Sequence, residues 1–516
     1  MAAVEAFTKW SANNGIKAPY VYIAQTANAG YGLFGNKDLN INDTTALVHI
    51  PRDLLITSIR AVRDNQELCN TIKSILIGSD NDVDDTSLKE TVLDPRNERL
   101  VLRLFLALQK FSKKQTPSAL FWKPYIDILP SLDDVRQQHV LFLIANHEED
   151  DNESNKVGLD GTNLSRSIHA KRSALVRELE MVKDTIEWMT LDMWIWADII
   201  FWSRVVSIGS SDDDSNNGDL ALIPFFDFAN HSLQPNIRWC PADGGGINFV
   251  ANSSSGSLAG NELLISYGDK SNQELLFLHG FTLEDNPEPS RITMALTSFL
   301  DMSMMDNQVK LSWITQLAKP VLTLLVPSAT GDYRDKKSVD TSISDIITLT
   351  TGWTQKSIAL MYLVALDEDD GLKFELVPDI SQLSISGSPQ EKEEEMGGES
   401  MIVQARLLGE IVEDLDDLVI KVTKLDHSVV IQLRVVLLLL DALEYHLHMI
   451  TSSSSNDENV STNTAGVMIH VERYKQDELE LLQKSISGLK NLRDWLMTDE
   501  SVVKFLATQE EHEDKA

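Results

Sequence analysis

Short runs of apolar residues between residues 20 and 57 follow the two-residue period of β-strands. They read VYIAQ, YGLFG and ALVHIP, with Gly30, Gly32 and Gly35 in and around the second run and Pro51 closing the third. Alternation with this period favours half-buried strands, and glycine and proline mark the turns between them. This part of the chain therefore predicts a group of short strands.

From about residue 58 to residue 206, the apolar period lengthens to that of a helix. Leu104, Leu108 and Phe111 are spaced by four and by three residues, which places them on one helix face. The word Trp-Lys-Pro-Tyr around Pro124, together with Leu129-Pro130, predicts a non-helical elbow within this segment. The segment is thus expected to be a helical insertion with one break.

Strand-like runs return between Ala221 and Tyr267, and a short helix is predicted from Gln273 to Leu278. Beyond Arg291 the apolar residues recur at helical spacing. One stripe consists of Leu408, Ile411, Val412, Leu415, Leu418, Val419 and Val422, and another of Leu482, Ile486, Leu489 and Leu496. The whole pattern predicts the α+β class, with a β region split by a helical insertion and followed by an all-helical C-terminal domain.

The 516 residues carry a large negative charge. Lysines and arginines number 45 and acidic residues 78, which gives a formal net charge of −33. Binding to a nucleic-acid backbone needs clustered lysine and arginine, so direct nucleic-acid contact is not expected. The charge favours association with basic partners, or it serves solubility alone.

Cysteine usage and hydropathy restrict the class further. Cys69 and Cys240 are the only cysteines and cannot build a zinc cluster or a disulfide framework. The apolar run from Val435 to Leu440 is too short to span a bilayer, and a secretory signal at the start of the sequence is not expected. We therefore expect no metal site, no membrane attachment, and a location in the cytoplasm, the nucleus or both.

Four sequence words carry the candidate chemistry: AGYGL at 29–33, WSR at 202–204, DFANHS at 227–232 and GNELLISYG at 260–268. In this order they resemble the SET-domain methyltransferases, and most closely the Rubisco large-subunit methyltransferase type, which includes fungal ribosomal-protein lysine methyltransferases. The resemblance implies a SET-domain β fold at 1–290 with its helical insertion at about 58–206. It also implies a helical substrate-binding domain at 291–516.

Tyr267 is the predicted catalytic residue. Methyl transfer to an amine is an in-line displacement, which needs donor and acceptor at near-attack distance. Lysine has a reference pKa of about 10.4, and desolvation lowers it. A buried tyrosine hydroxyl can then orient the neutral nitrogen. Tyr267 resembles the SET active-site tyrosine, whereas an isolated tyrosine at a strand end would usually serve packing.

The resemblance implies S-adenosyl-L-methionine as the cofactor. The residues predicted to bind it are Ala29, Gly30, Tyr31, Gly32, Arg204, Asn230, His231 and Tyr267. Gly30 and Gly32 allow positive φ and close approach of the backbone to a ligand. The guanidinium of Arg204 can hold a carboxylate bidentately, or it forms an ion pair with a nearby acid. Asn230 alone would more often form a local turn.

Two positions depart from the family pattern. Ala29 stands where many relatives have an acidic residue, and His279 stands where the family has a tyrosine before Gly-Phe. His279 would change the polarity and size of a lysine channel, and with it the number of methyls added or the nucleophile accepted. Ser203, Asp227 and His279 are predicted to contact the substrate, with a purely structural role as the alternative for Asp227. Asn272 is predicted to cap the following helix.

The sequence thus predicts an S-adenosylmethionine-dependent protein-lysine N-methyltransferase. Because the chain is acidic, we expect a basic protein substrate, with a ribosomal protein favoured and a histone possible. Two alternatives stay open: a SET-fold binding protein with weak or no activity, and a protein-histidine methyltransferase. The catalytic words of P-loop enzymes, serine hydrolases and zinc proteases are absent from the sequence.

Overall fold

A computed structural model describes residues 2–26, 30–36, 46–77, 91–92, 94–144, 158–208, 220–252, 257–328, 343–378, 401–453 and 465–513. Contacts between Cα atoms divide the chain into two compact units. The first comprises Met1–Leu159, Leu164–Glu288 and Glu458–Glu472, and the second comprises Asp160–Asn163, Pro289–Asp457 and Arg473–Ala516. Each unit therefore takes a short segment from a distant part of the sequence.

The first unit contains several small sheets. Its strands are β1 (Val21–Gln25), β2 (Tyr31–Gly35), β3 (Ala46–Ile50), β4 (Ile56–Thr57), β5 (Val205–Ser207), β6 (Leu220–Leu222), β7 (Asn230–His231), β8 (Ile237–Pro241), β9 (Ile247–Ala251) and β10 (Leu264–Ile265). Antiparallel pairing joins β1 to β2, β9 to β3 and β8, and β6 to β4 and β5. Strands β7 and β10 run parallel. The pairs β3–β9 and β4–β6 join strands from before and after the helical segment, so the sheets close only when distant parts of the chain meet.

Helices occupy most of the sequence between β4 and β5. The helices of the first unit are α1 (Ala2–Asn13), α2 (Ser58–Asp64), α3 (Gln66–Ile72), α4 (Pro95–Phe111), α5 (Pro117–Ile128), α6 (Leu132–Gln138), α7 (Val140–Leu143), α8 (Asn163–Lys183), α9 (Leu191–Arg204) and α10 (Asn272–His279), with 3₁₀ turns at Arg52–Leu54 and Phe226–Phe228 and a π-helical stretch at Lys73–Ile77. The short helix predicted before Gly280 is confirmed as α10.

A buried ion cluster joins three of these helices. The Asp198 carboxylate on α9 is 1% exposed and lies 2.9 Å from both Arg103 Nη1 on α4 and Lys171 Nζ on α8. Arg103 Nη1 also lies 2.7 Å from Glu178 Oε2. An unpaired charge at this depth would cost several kcal/mol, about 3–5, so the cluster fixes the mutual packing of the three helices.

The predicted elbow is right in one of its two parts: Pro124 lies inside helix α5, whereas the chain leaves the helical conformation at Leu129 and Pro130, between α5 and α6. Thr116 caps this helix by accepting a hydrogen bond from Ala119 N at 3.1 Å. Trp122 and Tyr125, on either side of the proline, are 1% and 0% exposed. Burial of two large aromatic side chains outweighs the single backbone hydrogen bond that proline removes.

The second unit combines helices with strands. Its strands are β11 (Ile292–Ala295), β12 (Val321–Leu324), β13 (Leu372–Pro378), β14 (Met401–Leu407) and β15 (Glu410–Val412), and its helices are α11 (Met305–Leu317), α12 (Ile343–Thr351), α13 (Gln355–Ala365), α14 (Leu415–Thr423), α15 (Ser428–Ser453), α16 (Ala465–Leu496) and α17 (Glu500–Glu513), with a 3₁₀ turn at Leu296–Phe299. Strand β11 pairs with β12, and β14 pairs with β13 and β15, all antiparallel. The prediction of an all-helical C-terminal domain is therefore wrong.

The apolar stripe from Leu408 to Val422 explains this error. Its first members belong to a tight hairpin, in which Leu408 and Gly409 adopt φ of 50° and 87° between β14 and β15. Only the members from Leu415 onward lie on a helix, α14, which Asp414 caps through Asp417 N at 2.8 Å. The apolar residues of the hairpin and those of α14 therefore have helical spacing by chance, although only the latter lie on a helix.

Glu478 on α16 organises the interior of the second unit. Its side chain is 1% exposed, and its Oε1 accepts from Asn163 N at 2.8 Å and lies 2.8 Å from His446 Nε2. Its other oxygen accepts from the Tyr474 hydroxyl. A Cβ on Gly161 would lie 2.7 Å from the Met449 carbonyl carbon, so the segment 160–163 needs glycine there to pack against α15.

Within the described residues, no helix combines the length and apolar character required to cross a bilayer.

Candidate active site

Backbone pairing brings the predicted site words together in the first unit. Leu263 N donates to Leu33 O at 2.7 Å, and Gly35 N donates to Asn261 O at 3.0 Å, so the segment before β10 runs alongside β2. Strand β10 then pairs with β7, which places Leu264 opposite Asn230. The glycine-rich turn, the Asn-His word and the tyrosine word therefore meet at one place.

Tyr267 follows directly from this ladder. Its hydroxyl donates to Ala229 O at 3.2 Å, and its backbone N–H donates to His231 Nδ1 at 3.0 Å. Burial raises the pKa of Tyr267 to about 12, and the carboxylates of Asp227 and Glu262 add to the rise while Arg204 opposes it. The hydroxyl thus stays protonated at neutral pH. Since its proton is directed at a carbonyl, the oxygen keeps its lone pairs available as acceptors.

Rings surround the Tyr267 side chain. Ring centroids of His279 and His231 lie 4.9 Å and 5.1 Å from that of Tyr267, and Phe281 lies 6.5 Å away. Burial lowers the pKa of His279 to about 3, with Lys270 and other nearby cationic groups adding to the effect. Burial also lowers the pKa of His231. Both imidazoles are neutral at pH 7, so the group of rings has an apolar, uncharged character.

The tautomer of His231 follows from its contacts. Its Nδ1 accepts the Tyr267 backbone N–H, so the single proton of the neutral ring resides on Nε2. His231 therefore presents one defined N–H donor and ties the tyrosine segment to β7.

Asn230 connects the tyrosine word to the glycine-rich turn. Its Nδ2 donates to Glu262 Oε1 at 2.7 Å and approaches Tyr31 O at 3.4 Å. A Cβ on Gly32 would lie 2.5 Å from the same Glu262 oxygen. Gly32 lies in strand β2 and is required for this close approach, whereas Gly30 has the positive φ, at 73°. Among the described residues other than its chain neighbours, none has a heavy atom within 4 Å of the position that a Cβ on Gly30 would take.

Arg204 and Asp227 form a buried ion pair near this place. Arg204 Nε lies 3.0 Å from Asp227 Oδ1, and the two side chains are 22% and 7% exposed. Arg204 Nη1 donates to Ser203 Oγ at 2.6 Å, and Ser203 Oγ donates in turn to Ile199 O at 2.7 Å. Burial raises the pKa of Asp227 to about 6, although Arg204 acts to lower it. Burial beside Asp227 also raises the pKa of Tyr125 well above its usual range.

The turn after α10 is held by side chains on both sides. Ser271, not Asn272, caps α10 in a capping box with Glu274, so the predicted cap is displaced by one residue. Asn272 instead donates to Leu283 O at 3.0 Å and accepts from Leu283 N at 2.8 Å. Thr282 N donates to Nδ1 of His470 at 3.0 Å. These bonds fix the segment that carries the Phe281 ring.

The structure brings most of the predicted residues into one neighbourhood. Gly30, Tyr31, Gly32, Asn230, His231, Tyr267 and His279 are linked through β2, β7, β10 and α10, and Ser203, Arg204 and Asp227 form the adjoining polar group. Ala29 lies outside the described residues. Sequence reasoning missed Glu262 as the partner of Asn230 and Ala229 as the acceptor for Tyr267, although both lie inside the quoted words. In the described part of the chain, no group of three or more histidine, cysteine or acidic side chains could hold a metal ion.

Comparison with solved structures establishes the fold class. A crystal structure of the SET domain of LSMT bound to lysine and AdoHcy superposes with a TM-score of 0.59 at 17% identity, covering 96% of this chain and 92% of that one. A structure of Rubisco LSMT bound to AdoMet gives a TM-score of 0.59 at 16% identity, covering 96% and 93%. The chain therefore has the SET-domain fold, and the predicted α+β class is confirmed.

Sequence relatives agree with this fold, although no family model matches the chain. The chain is 24% identical over 327 residues to protein-lysine N-methyltransferase EFM1 of Saccharomyces cerevisiae, which covers 57% of this chain and 52% of that protein. It is 26% identical over 205 residues to ribosomal lysine N-methyltransferase 1 of the same yeast, covering 32% and 33%. It is also 25% identical over 288 residues to actin-histidine N-methyltransferase of Danio rerio, covering 54% and 42%. The predicted resemblance to SET-domain methyltransferases is confirmed, and the chain spans about half the length, or less, of these relatives.

Proposed function

We propose that this protein is an S-adenosyl-L-methionine-dependent protein-lysine N-methyltransferase. The observation that carries the proposal is the convergence of the Gly30 turn, Asn230 and Tyr267 at one place in a SET fold, with Tyr267 Oη 3.2 Å from a backbone carbonyl. The names of two yeast relatives support transfer to lysine.

Tyr267 supplies the catalytic contact in this proposal. Its hydroxyl donates to Ala229 O, so the hydroxyl oxygen and the carbonyl oxygen face the same small region as acceptors. An amine nitrogen there would direct its N–H groups to these oxygens and its lone pair away from them. As the nitrogen gains positive charge, the two oxygens stabilise it without needing to reorient. The uncharged rings of His279 and Phe281 favour the neutral amine over the ammonium ion.

The residues present fit the proposed cofactor. S-adenosylmethionine supplies an electrophilic methyl group on a sulfonium. The backbone at Gly30 to Gly32 would receive its methionine part, and Asn230 and His231 would border its adenosine part. Arg204 already contacts Asp227 and Ser203 through Nε and Nη1, which leaves the second N–H of Nη1 and both N–H groups of Nη2 for the cofactor carboxylate. A bidentate contact with the cofactor would therefore use the edge of the guanidinium formed by Nη1 and Nη2.

A basic protein is the proposed substrate class, with a ribosomal protein favoured over a histone. The formal net charge of −33 supports attraction to a basic partner. The name of the second yeast relative supports the ribosomal choice.

Methyl transfer can be tested directly. Purified protein is incubated with radiolabelled S-adenosylmethionine and either a ribosomal-protein fraction or core histones, and the labelled residues are identified after acid hydrolysis. We expect labelled methyl-lysine, with more label in the ribosomal fraction. A preparation that binds the cofactor, as measured by calorimetry, but labels neither mixture would support a SET-fold binding protein instead.

Histidine methylation is the second candidate. The match to actin-histidine N-methyltransferase over 54% of this chain favours it, and so does His279, which makes the ring cluster more polar than a tyrosine with the same contacts would. The same assay is repeated with actin as the acceptor, and labelled methyl-histidine in its hydrolysate would decide for this candidate.

Gly32→Ala is expected to weaken cofactor binding. The added methyl would meet Glu262 Oε1 at 2.5 Å and Thr26 Cγ2 at 2.7 Å, and displacement of Glu262 would break its hydrogen bond to Asn230. Loss of one such bond corresponds to about 1 kcal/mol, so the calorimetric Kd for S-adenosylmethionine should rise by about fivefold. Gly466→Ala serves as the control, because outside its own helix no described residue has a heavy atom within 4 Å of the position that its Cβ would take. An unchanged Kd in Gly32→Ala would remove Gly32 from the cofactor site.

A further inference from the structure

His139 is a buried histidine that lies against the turn after helix α10. It separates α6 from α7 and is 5% exposed. Its ring Cδ2 is 3.8 Å from the position that a Cβ on Gly280 would take. Gly280 is flanked by His279 and Phe281, whose rings lie beside Tyr267. His139 therefore lies on the side of the candidate site that carries His279.

The proton of His139 can be placed from its contacts. Its Nδ1 accepts from Leu141 N at 3.3 Å and caps α7. Because burial lowers its pKa to about 4, the ring is neutral at pH 7 and carries its single proton on Nε2. Nε2 is bonded to Cδ2 in the ring, so this N–H lies at the edge nearest the turn.

The Nε2–H group lacks an acceptor among the residues that the structure describes. A buried donor without a partner costs free energy, and such a group is explained when its acceptor arrives in another state of the protein. His279, the residue before Gly280, offers a neutral ring nitrogen as an acceptor. The histidines of the two segments are close enough that each charge would disfavour the other.

We propose that His139 is a positioning residue, which donates its Nε2–H to the ring of His279 when an acceptor amine occupies the site. This bond would hold His279 in one tautomer and one orientation against Tyr267. The role rests on the proposed function, because it treats His279 as a wall of the amine channel. It extends that function by assigning to the helical insertion a part in selecting the acceptor.

Two substitutions separate the two roles of His139, the helix cap at Nδ1 and the hydrogen-bond donor at Nε2. The amide of asparagine occupies the place of Nδ1, so His139→Asn keeps an acceptor for Leu141 N and removes the Nε2 donor. The amide of glutamine reaches the place of Nε2, so His139→Gln keeps the donor and loses the cap.

The acceptor in the kinetic assay is the protein fraction that takes up label in the transfer assay. We expect His139→Asn to lower kcat/KM for this acceptor about tenfold, with unchanged Tm and cofactor Kd. We expect His139→Gln to lower Tm and to keep kcat/KM near that of the unaltered protein. The reverse pattern, or equal kinetics in both variants, would show that His139 acts only as a cap.

A second measurement does not depend on methyl transfer. Long-range ¹H–¹⁵N spectra of the imidazoles are recorded with S-adenosylhomocysteine and n-butylamine, which mimics a lysine side chain. The His279 resonances are assigned by their loss in His279→Asn. We expect a single neutral tautomer of His279 in the unaltered protein and in His139→Gln, and averaged tautomers in His139→Asn. Averaging in the unaltered protein, or a single tautomer in His139→Asn, would overturn the proposal. If the protein shows the expected spectra but transfers no methyl group, the proposed methyltransferase function is contradicted and the positioning role of His139 is not.

Discussion

Tyr267→Phe is expected to lower kcat for methyl transfer by about 10²- to 10³-fold, the cost typical of removing one preorganised polar contact to a developing charge. The hydroxyl is the side-chain oxygen at the centre of the ring cluster, and its bond to Ala229 O fixes the direction of its lone pairs. Phenylalanine keeps the ring contacts to His279 and His231. The amine would then lose one acceptor and its orientation, while the place of the cofactor would be retained.

Single-turnover kinetics and calorimetry together check this prediction. The Kd for S-adenosylmethionine should change by less than about threefold, and stability should fall by about 1 kcal/mol, because the Ala229 carbonyl loses its partner. Tyr22→Phe is the matched control, since Tyr22 lies on β1 of the same unit and is 42% exposed. Normal turnover in Tyr267→Phe would contradict the catalytic assignment, and equal loss in Tyr22→Phe would indicate a general effect on folding.

The stability of Asp227→Asn relative to the unaltered protein is expected to rise as the pH rises. The pKa of Asp227 is about 6 in the folded state against 3.8 ordinarily, so the folded state binds its proton more tightly than the unfolded state. The stability linked to this proton is present below pH 3.8 and is lost as the pH rises through 6. The full loss is about 3 kcal/mol, since each pKa unit corresponds to about 1.4 kcal/mol. Asparagine does not ionise, so Asp227→Asn does not undergo this pH-dependent loss of stability.

The experiment compares urea unfolding of the two proteins at pH 5.2 and pH 8, above the sequence pI of about 4.6. Over this interval the free energy of unfolding of Asp227→Asn should rise by about 1 kcal/mol relative to the unaltered protein. The rest of the roughly 3 kcal/mol is lost below pH 5.2, because Asp227 has already given up nearly all of its proton in the unfolded state at that pH. Asp53→Asn is the control, because the Asp53 side chain is 95% exposed and should give no such trend. A difference independent of pH, or one that falls as pH rises, would show that Arg204 keeps Asp227 ionised throughout.

The resemblance to the SET family, which combines residue type with order along the chain, singled out Tyr267, Asn230 and His231. The structure brings these three residues together, although position at the end of an apolar run alone would have favoured packing or a local turn. The positive φ at Gly30 was also predicted from residue type, because glycine alone adopts it without strain.

Long-range contacts could not be predicted in the same way. His139 resembles any isolated histidine in a helical segment, and only the packing of Gly280 against its ring connects it to the site. For Arg204, the sequence allowed two interpretations, an ion pair with a nearby acid and a contact with the cofactor carboxylate. The ion pair became visible only through the distance of 3.0 Å between Arg204 Nε and Asp227 Oδ1. The strands β13 to β15 were missed because their pairing, not their residue spacing, determines their structure.

The bond between Thr282 and His470 bears on how this protein can be dissected. Thr282 follows Phe281 directly, yet its partner lies 188 residues further along the chain, in the segment that the first unit takes from the start of α16. A recombinant fragment that stops near residue 290 would keep all the quoted site words and still lack this anchor. Loss of activity after such a truncation would therefore report an incomplete fold, so deletion mapping is a poor guide to where this chain performs its chemistry.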